Sequence, residues 1–125
     1  MDRNPAEELS RLTADKLGIR LDPAVSGRLG AYLDAILDEN TRINLTAVRD
    51  RREAVLRHLV DGLALLLDLR NCPLPVGPRA LLDLGTGGGF PGVVAAIAVP
   101  AATVHLVESR ARKLDAVRRA AARAD

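Results

Sequence analysis

The stretch Leu81 to Gly92, LLDLGTGGGFPG, constrains the fold more than any other part of the chain. It opens with Leu81-Leu82-Asp83-Leu84, which has the length and flanks of a buried strand. Gly85, Gly87, Gly88 and Gly89 follow, and without a Cβ they let a turn take positive φ and approach a ligand closely. Pro91 then suits the first turn of a helix, where its missing N–H leaves nothing unpaired. Downstream, Thr103 to Glu108 (TVHLVE) is a second apolar run ending in a carboxylate. Two strands with a helix between them make one βαβ unit, and a glycine loop feeding a helix N-terminus can hold a nucleotide-like ligand. In such folds the acid at the tip of the second strand accepts hydrogen bonds from ribose hydroxyls, which singles out Glu108.

Two glycine frames compete. Gly87, Gly89 and Gly92 fit the dinucleotide pattern G-x-G-x-x-G, with Glu108 downstream, and would suit an NAD-linked oxidoreductase. The frame that starts at the strand end reads Asp83-x-Gly85-x-Gly87-x-Gly89 and puts Phe90 where a dinucleotide site wants its third glycine. An acid before the first glycine resembles the first motif of the S-adenosylmethionine-dependent methyltransferases. Their ligand carries a cationic amino-acid tail and no pyrophosphate, which would account for Asp83.

The 125 residues are one domain's worth, long enough for a core but short for a complete doubly wound sheet. No apolar run reaches membrane-spanning length and the N-terminus MDRNPAEELS lacks the apolar segment of a secretory signal, so a cytoplasmic protein without a membrane partner is expected. Cys72 is the only cysteine, which excludes an internal disulfide and a multi-cysteine metal site. The net charge of +2 does not announce nucleic acid by itself. The basic excess gathers in one predicted helix, where Arg110, Arg112, Lys113, Arg118, Arg119 and Arg123 face only Asp115 and Asp125. Such a helix either meets phosphates or is a solvated surface. Tyr32 and Phe90 are the only aromatic residues besides histidine, too few to stack single-stranded bases on a sheet.

Along the chain, Asn4-Pro5-Ala6-Glu7 predicts an N-cap, a proline at the first helical position and a capping-box glutamate, with Gly18 as the stop. Asp22-Pro23 starts a second helix that carries Val25, Leu29, Tyr32, Leu33, Ile36 and Leu37 at helical spacing to about Glu39. Asn40 to Val48 mixes polar and apolar residues without a period. Asp50 and Glu53 form a capping box for a third helix, Arg51 to about Leu69, with a wide apolar stripe. His58 and Asp61 interrupt that stripe three residues apart, so they share a face and can contact each other as a pair at the core edge. Asn71 to Arg79, with three prolines, is a linker. The expected organisation is a helical region 1–70, the linker 71–79 and the βαβ part 80–125. Val93 to Val99 is a short helix ended by Pro100, and Ser109 caps the basic helix.

Four separated stretches then agree with one family. INLTAV at 43–48, RHLVDGLALL at 57–66, LLDLGTGGGFPG at 81–92 and VHLVESRARKLDAVR at 104–118 resemble, in order and spacing, the ribosomal RNA small-subunit methyltransferase G family, also called glucose-inhibited division protein B. The glycine motif is common to many methyltransferases; Asn44-Leu45-Thr46 and Arg57-His58 with Asp61 make the match specific. The resemblance implies an α/β fold: N-terminal helices followed by the first βαβ unit of a Rossmann-like S-adenosylmethionine-dependent methyltransferase. It also implies methyl transfer to N7 of a guanine in small-subunit (16S) ribosomal RNA, with that RNA as partner, S-adenosylmethionine as cofactor and no metal. Carried over residue by residue, Gly85 and Phe90 contact the cofactor from the loop, Gly87 allows its close approach, and Glu108, Ser109 and Arg110 hold it from the second strand's end. Gly62 departs from the serine that many relatives have there.

Guanine N7 presents a lone pair, so such a transfer needs no general base and draws its acceleration from alignment. Asn44 and Asp61 are the candidates for stabilising charge that moves onto the purine. A methyltransferase sheet continues past its second strand, whereas this sequence stops at Ala124-Asp125 inside the basic helix. The expectation is therefore a truncated, N-terminal part of the fold with an exposed sheet edge, inactive alone. Besides the oxidoreductase, a non-catalytic RNA-binding or assembly module using the basic helix is the third reading.

Overall fold

The computed structural model describes residues 4–71 and 80–125. The bulk of the expected linker, with Cys72, lies outside the described residues. Helices α1 (Pro5–Leu17) and α2 (Pro23–Glu39) come first. A short α3 (Arg51–Ala54), a π-helical segment (Val55–Val60) and α4 (Asp61–Asn71) follow without a break. Strand β1 (Ala80–Leu84), α5 (Gly92–Ala98), β2 (Thr103–Val107) and α6 (Ala111–Arg123) complete the order.

Local chemistry accounts for most boundaries. The Asn4 side chain accepts from Ala6 N–H at 3.0 Å, Pro5 occupies the first helical position, and Gly18 closes α1 at φ 66°. The bond goes to Ala6 and not to Glu7, so the capping box expected there reduces to a simple asparagine cap. Asp22 caps α2 through Ala24 N–H at 2.8 Å, and Asp50 caps α3 through Glu53 N–H at 2.8 Å. At Gly30, α1 and α2 approach so closely that a Cβ would stand 3.0 Å from the Ala6 backbone nitrogen.

The third helix is where expectation and structure part. The apolar stripe predicts one continuous α-helix from Arg51, yet its middle is π-helical, and the Asp61 N–H reaches back five residues to the Leu56 carbonyl. Val55, Leu59, Val60 and Leu63 remain buried through it. A stripe this wide keeps most of its apolar side chains buried with one extra residue per turn, Leu56 alone of the π segment's leucines and valines being exposed, so its periodicity does not register the change. Such π turns concentrate at functional sites, and this one carries His58.

One core runs through all the helices. Leu9, Leu29, Tyr32, Leu33, Ile36 and Leu59 are fully buried, and Val94 of α5 and Ala116 and Ala120 of α6 join them. Gly62 belongs to this packing: a Cβ there would lie 3.1 Å from Val94, so the small residue admits α5 against α4. The last helix is fastened to α2 by charge. Arg119 makes a two-pronged bond to the buried Glu39 at 3.0 and 2.8 Å, and Arg123 meets Asp38 at 2.9 Å.

The two strands are parallel, with Ala80 opposite Thr103 and Leu84 opposite Val107. Leu81, Asp83, Val104 and Leu106 are half-buried on the α5 side. The opposite face is open, with Leu82 61% and Leu84 72% exposed beside Val107. Described residues thus give a mixed helical fold around a two-stranded parallel sheet. No helix among them is long and apolar enough to cross a membrane.

Candidate functional site

The glycine loop leaves β1 and is tied at once to the end of β2. Gly85 N–H and Thr86 N–H both donate to the Val107 carbonyl, at 2.8 and 3.1 Å. Gly85, Gly87 and Gly89 take φ of 68°, 56° and 87°, a region in which a side chain strains the backbone. They do so for different reasons. A Cβ on Gly85 would meet open space, whereas one on Gly89 would run into the Tyr32 hydroxyl. Gly85 borders the space where a ligand could lie; Gly89 is a packing glycine.

Asp83 does something other than the sequence suggests. Its Oδ2 accepts from Thr86 Oγ1 at 2.7 Å and from Gly92 N–H at 2.9 Å. The carboxylate closes the loop on itself and supplies α5 with the N-terminal acceptor that Pro91 cannot provide. Pro91 accordingly stands at the cap position, one residue before the helix. This oxygen therefore has an internal role in the loop besides the one expected of the carboxylate.

Glu108 reaches across the strand tips. Its Oε2 accepts from Gly87 N–H at 3.0 Å and its Oε1 from Arg110 N–H at 3.3 Å. The bond from Gly87, then that from Arg110, holds the carboxyl below the usual carboxylate range, with Lys113 and Arg110 adding positive charge. An ionised carboxylate has about four lone-pair sites, so two backbone donors leave capacity for a diol. Ser109 does not cap α6: the helix begins at Ala111 with Arg110 at the cap position and no side-chain cap bond. The Glu108 carboxylate takes the Arg110 N–H instead, and Ser109 stays exposed one residue too early.

Beneath the loop lies a floor that sequence reasoning missed. Tyr32 donates to the Gly88 carbonyl at 2.7 Å, and the Leu45 carbonyl faces Gly87 and Gly88. Asn40 fixes the segment that carries Leu45: its Oδ1 accepts from Leu45 N–H at 2.8 Å and Thr46 N–H at 3.0 Å, while its Nδ2 donates to the Thr46 carbonyl at 3.1 Å. Phe90 stacks on His58 with ring centroids 4.5 Å apart and meets Tyr32 edge-on at 5.6 Å. His58 Nε2 shares a hydrogen bond with Thr46 Oγ1 at 2.8 Å. The expected His58–Asp61 hydrogen bond is not formed; the π turn presents the ring to Thr46 and Phe90, and Asp61 is exposed. Burial lowers the His58 pKa more than the Asp61 charge raises it. The only sequence signals for the floor were Tyr32, one of two non-histidine aromatics, and an asparagine placed just after a helix.

Gly85, Gly87, Glu108, Ser109 and Arg110 therefore gather at the strand tips, with Phe90 behind them in the floor. Asn44 is exposed and lines a separate cleft with Arg110, and Asp61 stands apart on α4. Among the described residues no group of three His, Cys, Asp or Glu side chains could hold a metal ion.

The floor has a titration signature. Burial, then the Asp83 charge, pushes the Tyr32 phenol above its ordinary 10.0. A proton held more tightly in the folded state gives stability that is complete below the unfolded pKa and lost as pH rises through the folded one. Tyr32 is the only tyrosine and there is no tryptophan, so phenolate absorbance reads this one group. The folded chain is expected to show no phenolate near pH 10.5, where the urea-unfolded chain is more than half ionised. Equal absorbance in the two states would remove the buried hydroxyl from the loop's support.

Comparison with known proteins then bears on the whole arrangement. The family model for rRNA small subunit methyltransferase G matches residues 26–124. The chain belongs to that family. The matched span holds Tyr32, Asn40, the π turn, the glycine loop and Glu108, so floor and strand tips fall inside it together. Curated proteins named ribosomal RNA small subunit methyltransferase G are similar to this chain. The one from Desulfitobacterium hafniense (strain Y51) is 40% identical over 109 residues, covering 87% of this chain and 43% of its own length. That from Acinetobacter baylyi is 42% identical over 98 residues, covering 78% and 43%. That from Pseudomonas paraeruginosa is 41% identical over 111 residues, covering 89% and 49%. The chain thus spans less than half the length of these curated relatives.

Proposed function

We propose that this family member contributes the cofactor-binding part of a Rossmann-like, S-adenosylmethionine-dependent methyltransferase that modifies N7 of a guanine in small-subunit (16S) ribosomal RNA. The observation that carries the reading is Glu108 bonded to Gly87 N–H beside the open space at Gly85. A ribose diol fits the unused lone pairs of an ionised carboxylate, and an adjoining sulfonium ligand fits a glycine edge with nothing in front of it. When bound, S-adenosylmethionine supplies an activated methyl group. Gly85, Gly87, Glu108, Ser109 and Arg110 hold it, and Phe90 supports the loop from behind.

The chain's own work is orientation. Guanine N7 carries its lone pair at neutral pH, so no side chain here has to remove a proton, and the rigid floor supplies alignment. His58 needs no acid–base role. Asn44, exposed next to Arg110, and Asp61 are the groups offered to polarise the purine.

The oxidoreductase reading loses its physical basis in the same loop. A pyrophosphate needs the helix N-terminus, and the Gly92 N–H at that end of α5 is already bonded to Asp83. Gly89 and Gly92 are filled against Tyr32 and Leu106, so two of the three fingerprint glycines serve packing.

Calorimetric titration with S-adenosylhomocysteine, with NADH in parallel, tests the proposal. The expected result is binding of the first alone, weakened at least tenfold by Gly85→Trp, whose side chain would enter the open space. Where neither binds the 125-residue chain, the titration is repeated on a chimera completed with the remaining length of the Pseudomonas relative. Absence of binding there, NADH binding, or an unchanged affinity for Gly85→Trp overturns the assignment.

A further inference from the structure

The basic helix α6 is two surfaces. In its C-terminal half, Arg118 pairs with Asp115, Arg119 with Glu39 and Arg123 with Asp38. Those cations neutralise acids of the fold. At its start, Arg112 and Lys113, with Arg110 just before the helix, have no acid within ion-pairing distance among the described residues. They line a cleft of about 460 Å³ whose other wall is Arg42, Ile43 and Asn44, from the segment after α2. Arg42 is 68% exposed and only 3.6 Å from Glu39, a long pair that leaves much of the guanidinium outward. A second cleft of about 270 Å³ shares Arg42, Ile43 and Arg112 and continues along α6 past Asp115 and Arg119. The two form one groove.

We propose that this groove grips the phosphodiester backbone of the RNA strand that carries the target base; the inference rests on the methyltransferase reading and assigns it a substrate surface. Cations from two elements spread along an open trough suit a linear polyanion better than one compact anion, which would leave most of them unmatched. Arg112, Lys113 and Arg42 make the phosphate contacts, and Ile43 gives the trough an apolar wall. Asp115, the acid in the groove, is tied to Arg118. Arg110 lines the cleft while its N–H bonds Glu108, so a strand in the trough runs past the end of the loop where the ribose acid sits. Asn44, exposed on the facing wall, offers an amide suited to a base edge. The basic helix thus acts in RNA binding through its first turn only.

Transcribed small-subunit ribosomal RNA, titrated across a potassium chloride series and followed by filter binding, tests this. The double variant Arg112→Ala/Lys113→Ala is expected to bind at least tenfold more weakly at low salt. Each removed phosphate contact should also lower the log–log salt slope by about 0.7 for a single strand, or about 1.4 in all. Arg28→Ala, an exposed cation paired with Asp125 and lining neither cleft, should leave slope and affinity unchanged. The S-adenosylhomocysteine affinity of the double variant should equal that of the unsubstituted chain. Equal losses for the double variant and Arg28→Ala would mean diffuse charge and overturn the groove, as would RNA binding that the double substitution leaves intact, or no salt-sensitive RNA binding at all. If the double variant loses S-adenosylhomocysteine and keeps RNA, the cations belong to the cofactor site and the groove is wrong while the methyltransferase reading stands. Groove-dependent RNA binding without any S-adenosylhomocysteine binding, in chain or chimera, would keep the groove and overturn the methyltransferase reading instead.

Discussion

Gly89→Ala is expected to destabilise the chain by about 3 kcal/mol, roughly 1–2 from the left-handed backbone and the rest from overpacking. Gly89 sits at φ 87°, and its missing Cβ leaves the room that the Tyr32 hydroxyl fills. Gly85→Ala is the internal comparison. It shares the sign of φ, at 68°, but its Cβ would face open space, so only the backbone contribution of about 1–2 kcal/mol applies. Urea unfolding of both variants reads the difference. Because the clash is with an oxygen, Tyr32→Phe made on top of Gly89→Ala should return part of the loss, although alone it destabilises by about 1–2 kcal/mol by leaving the Gly88 carbonyl without its donor. That coupling is what a double-mutant cycle measures. Additive losses in the cycle would show that loop and hydroxyl are independent.

Asn40→Ala is the second large effect, about 2–3 kcal/mol, because it strands buried backbone groups and not merely a side chain. One amide serves Leu45 N–H, Thr46 N–H and the Thr46 carbonyl. Asn40→Asp separates the contributions: it keeps the acceptor for both N–H groups but loses the donor and brings a charge to a site 8% exposed. Its loss should fall between those of the native residue and alanine. Amide exchange at Leu45 gives the local readout, since protection there should collapse in Asn40→Ala and persist in Asn40→Asp. Retained protection in the alanine variant would show that other contacts hold the segment.

Legibility followed the range of the interaction. Helix α1, helix α2 and the strand–loop–helix unit could be read from neighbouring residues, because Asn4-Pro5, Asp22-Pro23 and the glycine run act within a few positions of themselves. Glu108 was legible for the same reason, as an acid at a strand end. The π turn was not, since its apolar stripe tolerates either winding. The internal bonds of Asp83 Oδ2 were not legible, because its acceptance from Thr86 Oγ1 and Gly92 N–H is settled in space. Tyr32 and Asn40 were passed over since their partners, Gly88 and the Leu45–Thr46 backbone, lie across or outside any periodic pattern. The charge of α6 was visible as a total; its division into paired and unpaired halves required knowing that Glu39 and Asp38 face it.

The floor of the glycine loop also has an order in time. Tyr32, Asn40 and Leu45 all precede the loop they support, the first by 56 positions from its partner Gly88. Chains emerge from synthesis N-terminus first, so Tyr32, Asn40 and Leu45 are already made when the first of the loop's glycines appears, while Phe90 follows them. Glycine surrenders more freedom on ordering than any other residue, and a run of them is a poor nucleus. Here the run is held from both sides in sequence, by Tyr32 and Leu45 before it and by the Val107 carbonyl after it.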